Sequence, residues 1–225
     1  MKKIIFVSFL APIIFIQNIN AQDYTLRFAL GYGFYDMSSL KSFQNRIAES
    51  FYRIDIKPVQ SFPPFFNYQL QFTASLAPGY YLGGSLGFTT TGGRNAVSDY
   101  SGEIKVDEII NGYNLGLLFE HNLIQNFYLT AQLYFIYSTM RVEEIVKLND
   151  LSSSHSSKFN SIGIGIEPGF SYAVLDNPLI VRINIGLHVG FSTDFHMDDE
   201  ADEILEGIHP GWSGFRASLQ AGYPF

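Results

Sequence analysis

The chain ends with Ser213–Phe225, SGFRASLQAGYPF, and the spacing of apolar residues in this stretch indicates its structure. Every second residue in it is aromatic or aliphatic: Phe215, Ala217, Leu219, Ala221, Tyr223 and Phe225. The residues between them are small or polar and include Arg216 and Gln220. Because successive side chains of a β-strand point to opposite faces, the pattern predicts a terminal strand with one apolar face. Soluble chains usually end in polar, poorly ordered residues, so this apolar face needs a partner.

The same alternation recurs along the whole chain. Seven further segments of about ten residues have it, and they begin near Tyr24, Tyr68, Tyr80, Tyr113, Phe127, Ile162 and Leu179. After residue 21 no stretch approaches the roughly 18 apolar residues of a spanning helix. Only helices and closed barrels satisfy their backbone hydrogen bonds in lipid. The sequence therefore predicts an all-β protein: a transmembrane, up-and-down antiparallel β-barrel of eight strands. The apolar residues at every second position of each strand, which we call the apolar parity, face lipid, and the residues between them form the polar parity.

The connections between these segments alternate in length. Short turns follow the second, fourth and sixth segments, and long connections cover residues 36–65, 92–111, 139–158 and 192–211. Short turns at one end and long loops at the other are typical of bacterial outer-membrane barrels, with the long loops outside the cell. Ten strands remain an alternative, because Ile104–Ile110 and Met140–Val146 in the long connections are strand-like.

Aromatic residues gather at the ends of the predicted strands, as in the two interfacial girdles of such barrels. The predicted periplasmic girdle contains Tyr80, Phe127, Tyr172, Tyr223 and Phe225, and the predicted outer girdle contains Phe34, Phe88, Tyr137, Phe191 and Trp212.

The N-terminus has the organisation of a secretory signal peptide. Lys2 and Lys3 precede an apolar run from Ile4 to Ile16, and Ala21 is a small residue suited to cleavage. We therefore predict a signal peptide over residues 1–21 and a barrel domain over 22–225. Loss of the two lysines changes the formal charge from −7 to −9, because Lys+Arg falls from 14 to 12. A chain this acidic is a poor candidate for binding nucleic acid.

The signal peptide, the eight alternating segments and the terminal Tyr223-Pro224-Phe225 together resemble the small outer-membrane β-barrel family. That family includes the OmpA transmembrane domain, OmpX and the porin-family barrels of Bacteroidetes. The resemblance implies a location in the bacterial outer membrane, with outer-membrane lipid and lipopolysaccharide as partners. It also implies that Tyr223 and Phe225 form the signal that the barrel-assembly machinery recognises. Pro224 departs from the family pattern.

Charged residues on the polar parity predict a network inside the barrel. We expect Arg27, Arg182, Glu120 and Glu167 in the periplasmic half of the lumen, and Arg216 nearer mid-depth with His188 close to it. Buried charges are costly unless they are paired, so arginine and glutamate should pair and fill the lumen. The alternative is a gated polar path for ions.

Other side chains suggest little chemistry. The histidines lack metal-ligand spacing, and we expect no metal site and no cofactor. His155 and Ser157 have the spacing used by outer-membrane lipid A deacylases, but they lie in a serine-rich loop. The acidic stretch from Asp194 to Glu206 lacks the EF-hand pattern. The apolar spacing of Leu40, Phe43, Ile47 and Phe51 predicts a short amphipathic helix over the barrel mouth or at the membrane surface.

The leading hypothesis is a non-enzymatic outer-membrane barrel, structural, adhesive or weakly porin-like, with a largely plugged polar lumen. A lipid-modifying enzyme of the lipid A deacylase type is the second possibility. The third is a soluble, secreted barrel that binds a small ligand, in which the apolar parity would point inward.

Overall fold

The computed structural model describes residues 24–50, 65–99, 102–148, 151–176, 178–197 and 204–225. These residues form ten strands and one helix. The strands are β1 (Tyr24–Tyr35), β2 (Phe65–Ala77), β3 (Tyr80–Asp99), β4 (Gly102–Ile124), β5 (Phe127–Leu148), β6 (Leu151–Asp176), β7 (Ile180–Ser192), β8 (Phe195–Met197), β9 (Ile204–Leu205) and β10 (Gly214–Pro224). The helix α1 (Ser38–Ser50) follows β1. The predicted signal peptide lies outside the described residues and stays a prediction.

Eight of the strands close into a ring. Consecutive strands from β1 to β7 pair antiparallel, and β10 pairs with both β7 and β1. The predicted eight-stranded antiparallel barrel is therefore confirmed. The strand-like pieces Ile104–Ile110 and Met140–Val146 belong to β4 and β5, and they add no strands to the ring. The short strands β8 and β9 attach beside β6, outside the ring.

The seam of the barrel joins its first and last strands. Eleven residue pairs align between β1 and β10, from Thr25↔Pro224 to Tyr35↔Gly214. At the periplasmic end, Tyr24 N donates to Phe225 O at 3.2 Å and Phe225 N donates to Tyr24 O at 2.9 Å. The Tyr24 and Phe225 rings stack with centroids 6.1 Å apart. The last residue thus takes part in closure, and no open edge faces the lipid here.

The apolar parity points outward around the ring. Leu30, Leu133 and Ile185 are all exposed, whereas Arg27 and Arg216 are almost fully buried. An exposed apolar surface of this extent is compatible with lipid and not with water. The alternative of a soluble barrel with an apolar interior is therefore wrong. Among the described residues, no helix has the length and hydropathy needed to cross a membrane.

Two of the predicted long connections are strands. The β3–β4 hairpin stays paired as far as Asp99↔Gly102, and the β5–β6 hairpin as far as Leu148↔Leu151. The predictions of loops at 92–111 and 139–158 are therefore wrong. Both predictions placed the end of each strand where its apolar alternation ends. That alternation ends at the edge of the lipid, whereas the backbone pairing continues into water.

The apolar band has the height expected of a membrane-spanning barrel. Ten residues separate Phe127 from Tyr137 on β5, and ten separate Tyr172 from Ile162 on β6. At about 3.4 Å per residue and a tilt near 40°, each span covers about 25 Å of bilayer. The parts of β3–β6 beyond Tyr137 and Ile162 therefore project outside the membrane as a four-stranded sheet, which we call the projecting sheet: residues 90–99, 102–111, 139–148 and 151–160.

Tight turns close the periplasmic end. Gly79, with φ 80°, follows Pro78 between β2 and β3, and Asn126, with φ 68°, lies between β4 and β5. Glycine and asparagine are the residues that adopt this left-handed conformation most readily. These turns allow neighbouring strands to pair with almost no intervening loop.

A charge on the lipid face tests the orientation of the strands. Ile185→Arg lies near the middle of the apolar band, and we expect it to lower the free energy of unfolding by roughly 2–4 kcal/mol, because a cation there must enter hydrocarbon. The measurement is urea unfolding of the barrel in lipid vesicles.

The matched control is Ser154→Arg, on the outward face of the projecting sheet, where the new charge meets water. It should leave stability unchanged within about 0.5 kcal/mol. Equal stability of Ile185→Arg and the wild type would show that the face is assigned wrongly.

Candidate functional site

The described residues form two buried ionic clusters in the lumen. The lower cluster centres on Glu120, which accepts a bidentate pair of hydrogen bonds from Arg27 at 2.6 and 2.9 Å and a third from Arg182 at 3.1 Å. Arg182 also lies 3.8 Å above the ring of Tyr128 and 3.4 Å from Asp176. Glu120, Arg27 and Arg182 are each less than 5% exposed. Opposite charges thus share a site that water does not reach.

The upper cluster centres on Glu167. Its Oε2 atom accepts hydrogen bonds from Arg216 Nη1 and from the Tyr134 hydroxyl, both at 3.0 Å. His188 Nδ1 lies 3.5 Å from the same oxygen. Gln69 donates to the Tyr134 hydroxyl at 3.3 Å, so the cluster reaches β2 and spans the lumen. These contacts link strands on opposite sides of the barrel.

The network differs in one detail from the prediction. Glu167 pairs with Arg216 and does not join Arg27, Arg182 and Glu120 in the periplasmic half. The reason is the length of β6, which continues nine residues past Glu167 to Asp176 and therefore holds Glu167 near mid-depth. Arg216 Nη1 and His188 Nδ1 lie 3.0 and 3.5 Å from the same Oε2 atom of Glu167.

An apolar cap fills the outer mouth of the barrel. Its buried members are Met37, Leu40, Ile110, Tyr134, Ile136, Met140, Phe159, Phe195, Ile208 and Trp212. They come from α1 and its approach, from β4, β5, β6 and β8, and from the segment before β10. Helix α1 matches the predicted amphipathic helix and lies over the mouth, with Leu40 fully buried. Phe51 lies outside the described residues.

Trp212 belongs to the cap and not to the outer girdle, so that part of the girdle prediction is wrong. It is 1% exposed, its Nε1 donates to Ser138 Oγ at 2.8 Å, and its ring meets Tyr35 edge-on. The physical reason is that the segment before β10 turns into the mouth before the strand begins. The strand alternation used in the prediction therefore does not apply to Trp212.

A buried carboxyl group joins the cap to the projecting sheet. Glu108 on β4 is 1% exposed, and its Oε2 accepts a hydrogen bond from Gln44 Nε2 of α1 at 3.1 Å. Its Oε1 and the Oε1 of Gln44 are both buried, and neither has a hydrogen-bond partner among the residues that the structure describes. Burial raises the pKa of Glu108 to about 7, with Gln44 opposing the shift. One proton on Glu108 would allow these two oxygens to share a hydrogen bond.

The weaker site candidates gain little from the structure. Among the described residues, no group of three or more histidines and carboxylates could hold a metal ion. Asp194 accepts from Gly207 N at 2.9 Å, and residues 198–203 of the acidic stretch lie outside the described residues. Ser157 Oγ and His155 Nε2 are 3.1 Å apart, and Glu144 is the cross-strand neighbour of His155. His155 is exposed on the projecting sheet.

The predicted assembly signal lies on the lipid-facing surface of the seam, at its periplasmic end. Tyr223 and Phe225 are both more than half exposed and face the lipid side of β10 and its end. Their recognition by the barrel-assembly machinery stays a prediction.

The sequence comparison identifies the family. A family model described as outer membrane protein beta-barrel domain matches residues 60–222. The chain belongs to this family. Its location is therefore the bacterial outer membrane. No curated protein matches the sequence.

Solved structures resemble this family member in fold. OprG from Pseudomonas aeruginosa is 14% identical, with 93% of this chain and 98% of that chain covered and a TM-score of 0.46. The attachment invasion locus protein Ail of Yersinia pestis is 14% identical, with 90% and 97% covered and a TM-score of 0.33. The outer membrane protease OmpT from Escherichia coli is 10% identical, with 92% and 98% covered and a TM-score of 0.38. None of these similarities carries an argument about function.

Removal of the Glu120 carboxylate, at the centre of the lower cluster, should destabilise the barrel strongly. Glu120→Gln leaves Arg27 and Arg182 buried with their main counter-charge gone, and we expect a loss of roughly 3–5 kcal/mol in the free energy of unfolding. The measurement is urea unfolding in vesicles, followed by heat-modifiable gel mobility.

Asp176→Asn is the matched control, because it removes a second carboxylate that contacts Arg182 but is about 42% exposed at the side chain. Its loss should be clearly smaller, since water screens exposed pairs. Equal losses for the two variants would contradict a buried network centred on Glu120.

The cap should respond to pH through Glu108. A carboxyl group whose pKa is higher in the folded state stabilises the fold fully below its ordinary value of 4.5. That contribution declines as the pH rises through about 7. We therefore expect hydrogen exchange in α1 to be slowest at low pH, after correction for the intrinsic rate, and to accelerate between pH 5 and 8.

Glu108→Gln is the control, because it keeps the size of the side chain and cannot ionise. Its corrected exchange rate in α1 should be independent of pH. A wild-type rate without pH dependence, or equal dependence in both proteins, would contradict the role of Glu108.

Proposed function

We propose that this protein is a closed, non-enzymatic outer-membrane barrel with a structural or adhesive role. The observation that supports this best is the double obstruction of its interior. The two ionic clusters bridge the lumen between its walls, and the apolar cap packs the mouth above them. An eight-stranded barrel is only wide enough to hold its own side chains, so little space remains for a solute.

The obstruction is fixed by contacts that are expensive to break. Opening the lower cluster would separate Glu120 from Arg27 and Arg182 in a site without water, at a cost of several kcal/mol. Opening the mouth would expose Leu40, Ile110 and the other buried members of the cap. Both layers oppose a steady ion path, which favours a structural or adhesive role over a porin-like one.

Among the described residues, the projecting sheet is a surface that other surfaces can reach. It carries β3–β6 about ten residues beyond the apolar band. Its rim contains exposed polar residues such as Ser153 and Ser154, with Lys147 nearby. A rigid, hydrogen-bonded sheet presents such residues in fixed positions, which suits attachment to another surface better than a disordered loop would.

Conductance of the purified barrel in planar bilayers tests the closed lumen. We expect no steady openings, while a water-filled porin inserted in the same bilayers conducts. Long openings of one unit size in every wild-type insertion would refute the closed barrel and favour the porin-like alternative.

Cell attachment tests the adhesive role. Replacement of residues 94–107 and 143–156 by short turns removes the outer part of the projecting sheet and leaves the spanning barrel and the cap residues Ile110, Met140 and Phe159 in place. Cells that display this variant should attach less well to epithelial monolayers or to plastic than cells with the intact barrel at equal surface density. Equal attachment would leave the structural role as the proposed one.

An enzymatic role rests on the Ser157–His155 hydrogen bond with Glu144 beside it. These groups lie on an open, hydrated sheet, where charge developing in a reaction is poorly stabilised. We expect Ser157→Ala and the wild type to show the same background hydrolysis of short- and long-chain nitrophenyl esters. Ester hydrolysis that Ser157→Ala abolishes would favour the enzyme instead.

A further inference from the structure

The outward face of the projecting sheet is basic, although the chain as a whole has a formal charge of −7. This face is the one continuous with the lipid-facing side of the barrel. Its cations are Arg94, Lys105, Arg141, Lys147 and Lys158, and its carboxylates are Glu103, Asp107 and Glu143. The described residues therefore give this face a local charge of +2. The excess positive charge lies on the side that meets the membrane surface.

The ion pairs that the described residues form on this face involve four of its five cations. Asp107 pairs with Arg94 and Lys105, Glu103 pairs with Lys147, and Glu143 pairs with Arg141. Among the described residues, none forms an ion pair with Lys158.

Lys158 lies directly opposite Arg141 in the β5–β6 register. Like charges in directly opposed positions of an antiparallel pair repel each other. An anion placed against both would remove the repulsion.

Residues on the same face form layers that follow the chemistry of a lipid headgroup. Tyr137 and Ile162 are at the outer limit of the apolar band. Two residues further out, Thr139 lies opposite Asn160, and two residues beyond that, Arg141 lies opposite Lys158. The cations are therefore about 10 Å above the acyl region. Long basic side chains reach back towards such an interface while their stems stay along the protein.

We propose that Arg141 and Lys158 bind a phosphate group of the outer-leaflet glycolipid, lipopolysaccharide, with its sugars against Thr139 and Asn160. The charge and height of Arg141 and Lys158 match a phosphate just above the acyl chains. Thr139 and Asn160, which lie between these cations and the apolar band, match the sugar that links the phosphate to the acyl chains. The site rests on the outer-membrane location of the barrel and does not depend on its closed lumen. It fixes the barrel to the lipid on the β5–β6 flank.

Native mass spectrometry of the purified barrel with lipid A measures this binding. Diphosphoryl lipid A should bind the wild type, and fully dephosphorylated lipid A should bind much more weakly. Arg141→Gln and Lys158→Gln should each weaken binding of diphosphoryl lipid A about fivefold, as expected for one cation near an anionic surface. Both side chains are exposed, so each substitution should leave the folding of the barrel unchanged.

Lys147→Gln is the matched control, because Lys147 lies six residues beyond Arg141 on the same strand and face. It should bind lipid A as the wild type does, and inorganic phosphate at millimolar concentration should not compete. Equal binding of phosphorylated and dephosphorylated lipid, equal losses in all three variants, or competition by free phosphate would overturn the proposal. Conductance is a separate measurement, so a conducting barrel would leave this site unaffected.

Discussion

The structure depends on one constraint: every backbone N–H and C=O group within the lipid must have a partner in the protein. A sheet meets this demand only if it has no edge, and the seam between β1 and β10 removes the last one. The mutual backbone hydrogen bonds of Tyr24 and Phe225 extend the pairing to the end of the chain. With the ring closed at eight strands, the diameter is fixed, and the side chains that the interior can hold are fixed with it.

The small interior explains why arginine, glutamate and glycine occur together on the inward face. Each carboxylate at the centre of a cluster satisfies several donors, as Glu120 does with Arg27 and Arg182. Glycine provides the space: a Cβ atom at Gly186 would lie only 2.8 Å from Oε1 of Glu167. Charge pairing and small neighbours are thus two consequences of the same limited volume. The upper mouth is filled differently, by apolar side chains, because α1 covers it and excludes water there.

The sequence predicts the features that follow from a strict period of two. The eight strands, their lipid-facing parity and the burial of Arg27, Glu120 and Arg182 follow from alternation, since one face meets lipid and the other the lumen. The lengths of the hairpins do not follow from it, because beyond the membrane both faces meet polar surroundings. Trp212 was missed for a related reason: it precedes its strand.

The buried Glu108 was not among the predicted site residues. The alternation of β4 predicts that Glu108 points inward. Its burial, however, depends on Gln44 of α1, which is 64 residues away along the chain. No pattern of neighbouring residues in the sequence predicts such a contact. The pairing of Glu167 with Arg216 was missed because it requires the depth of β6 in the bilayer, and depth depends on where the long hairpin begins.

Trp212 is the single tryptophan of the chain, and it lies in the apolar cap with its indole N–H bonded to Ser138. The other residues counted as aromatic in the chain are tyrosine and phenylalanine. Indole fluorescence excited selectively at long wavelength therefore originates from one location, the extracellular mouth. An event that loosens the cap changes the emission of Trp212 even if the ring of β-strands stays intact. The fluorescence of this one residue therefore reports whether the mouth of the barrel is closed.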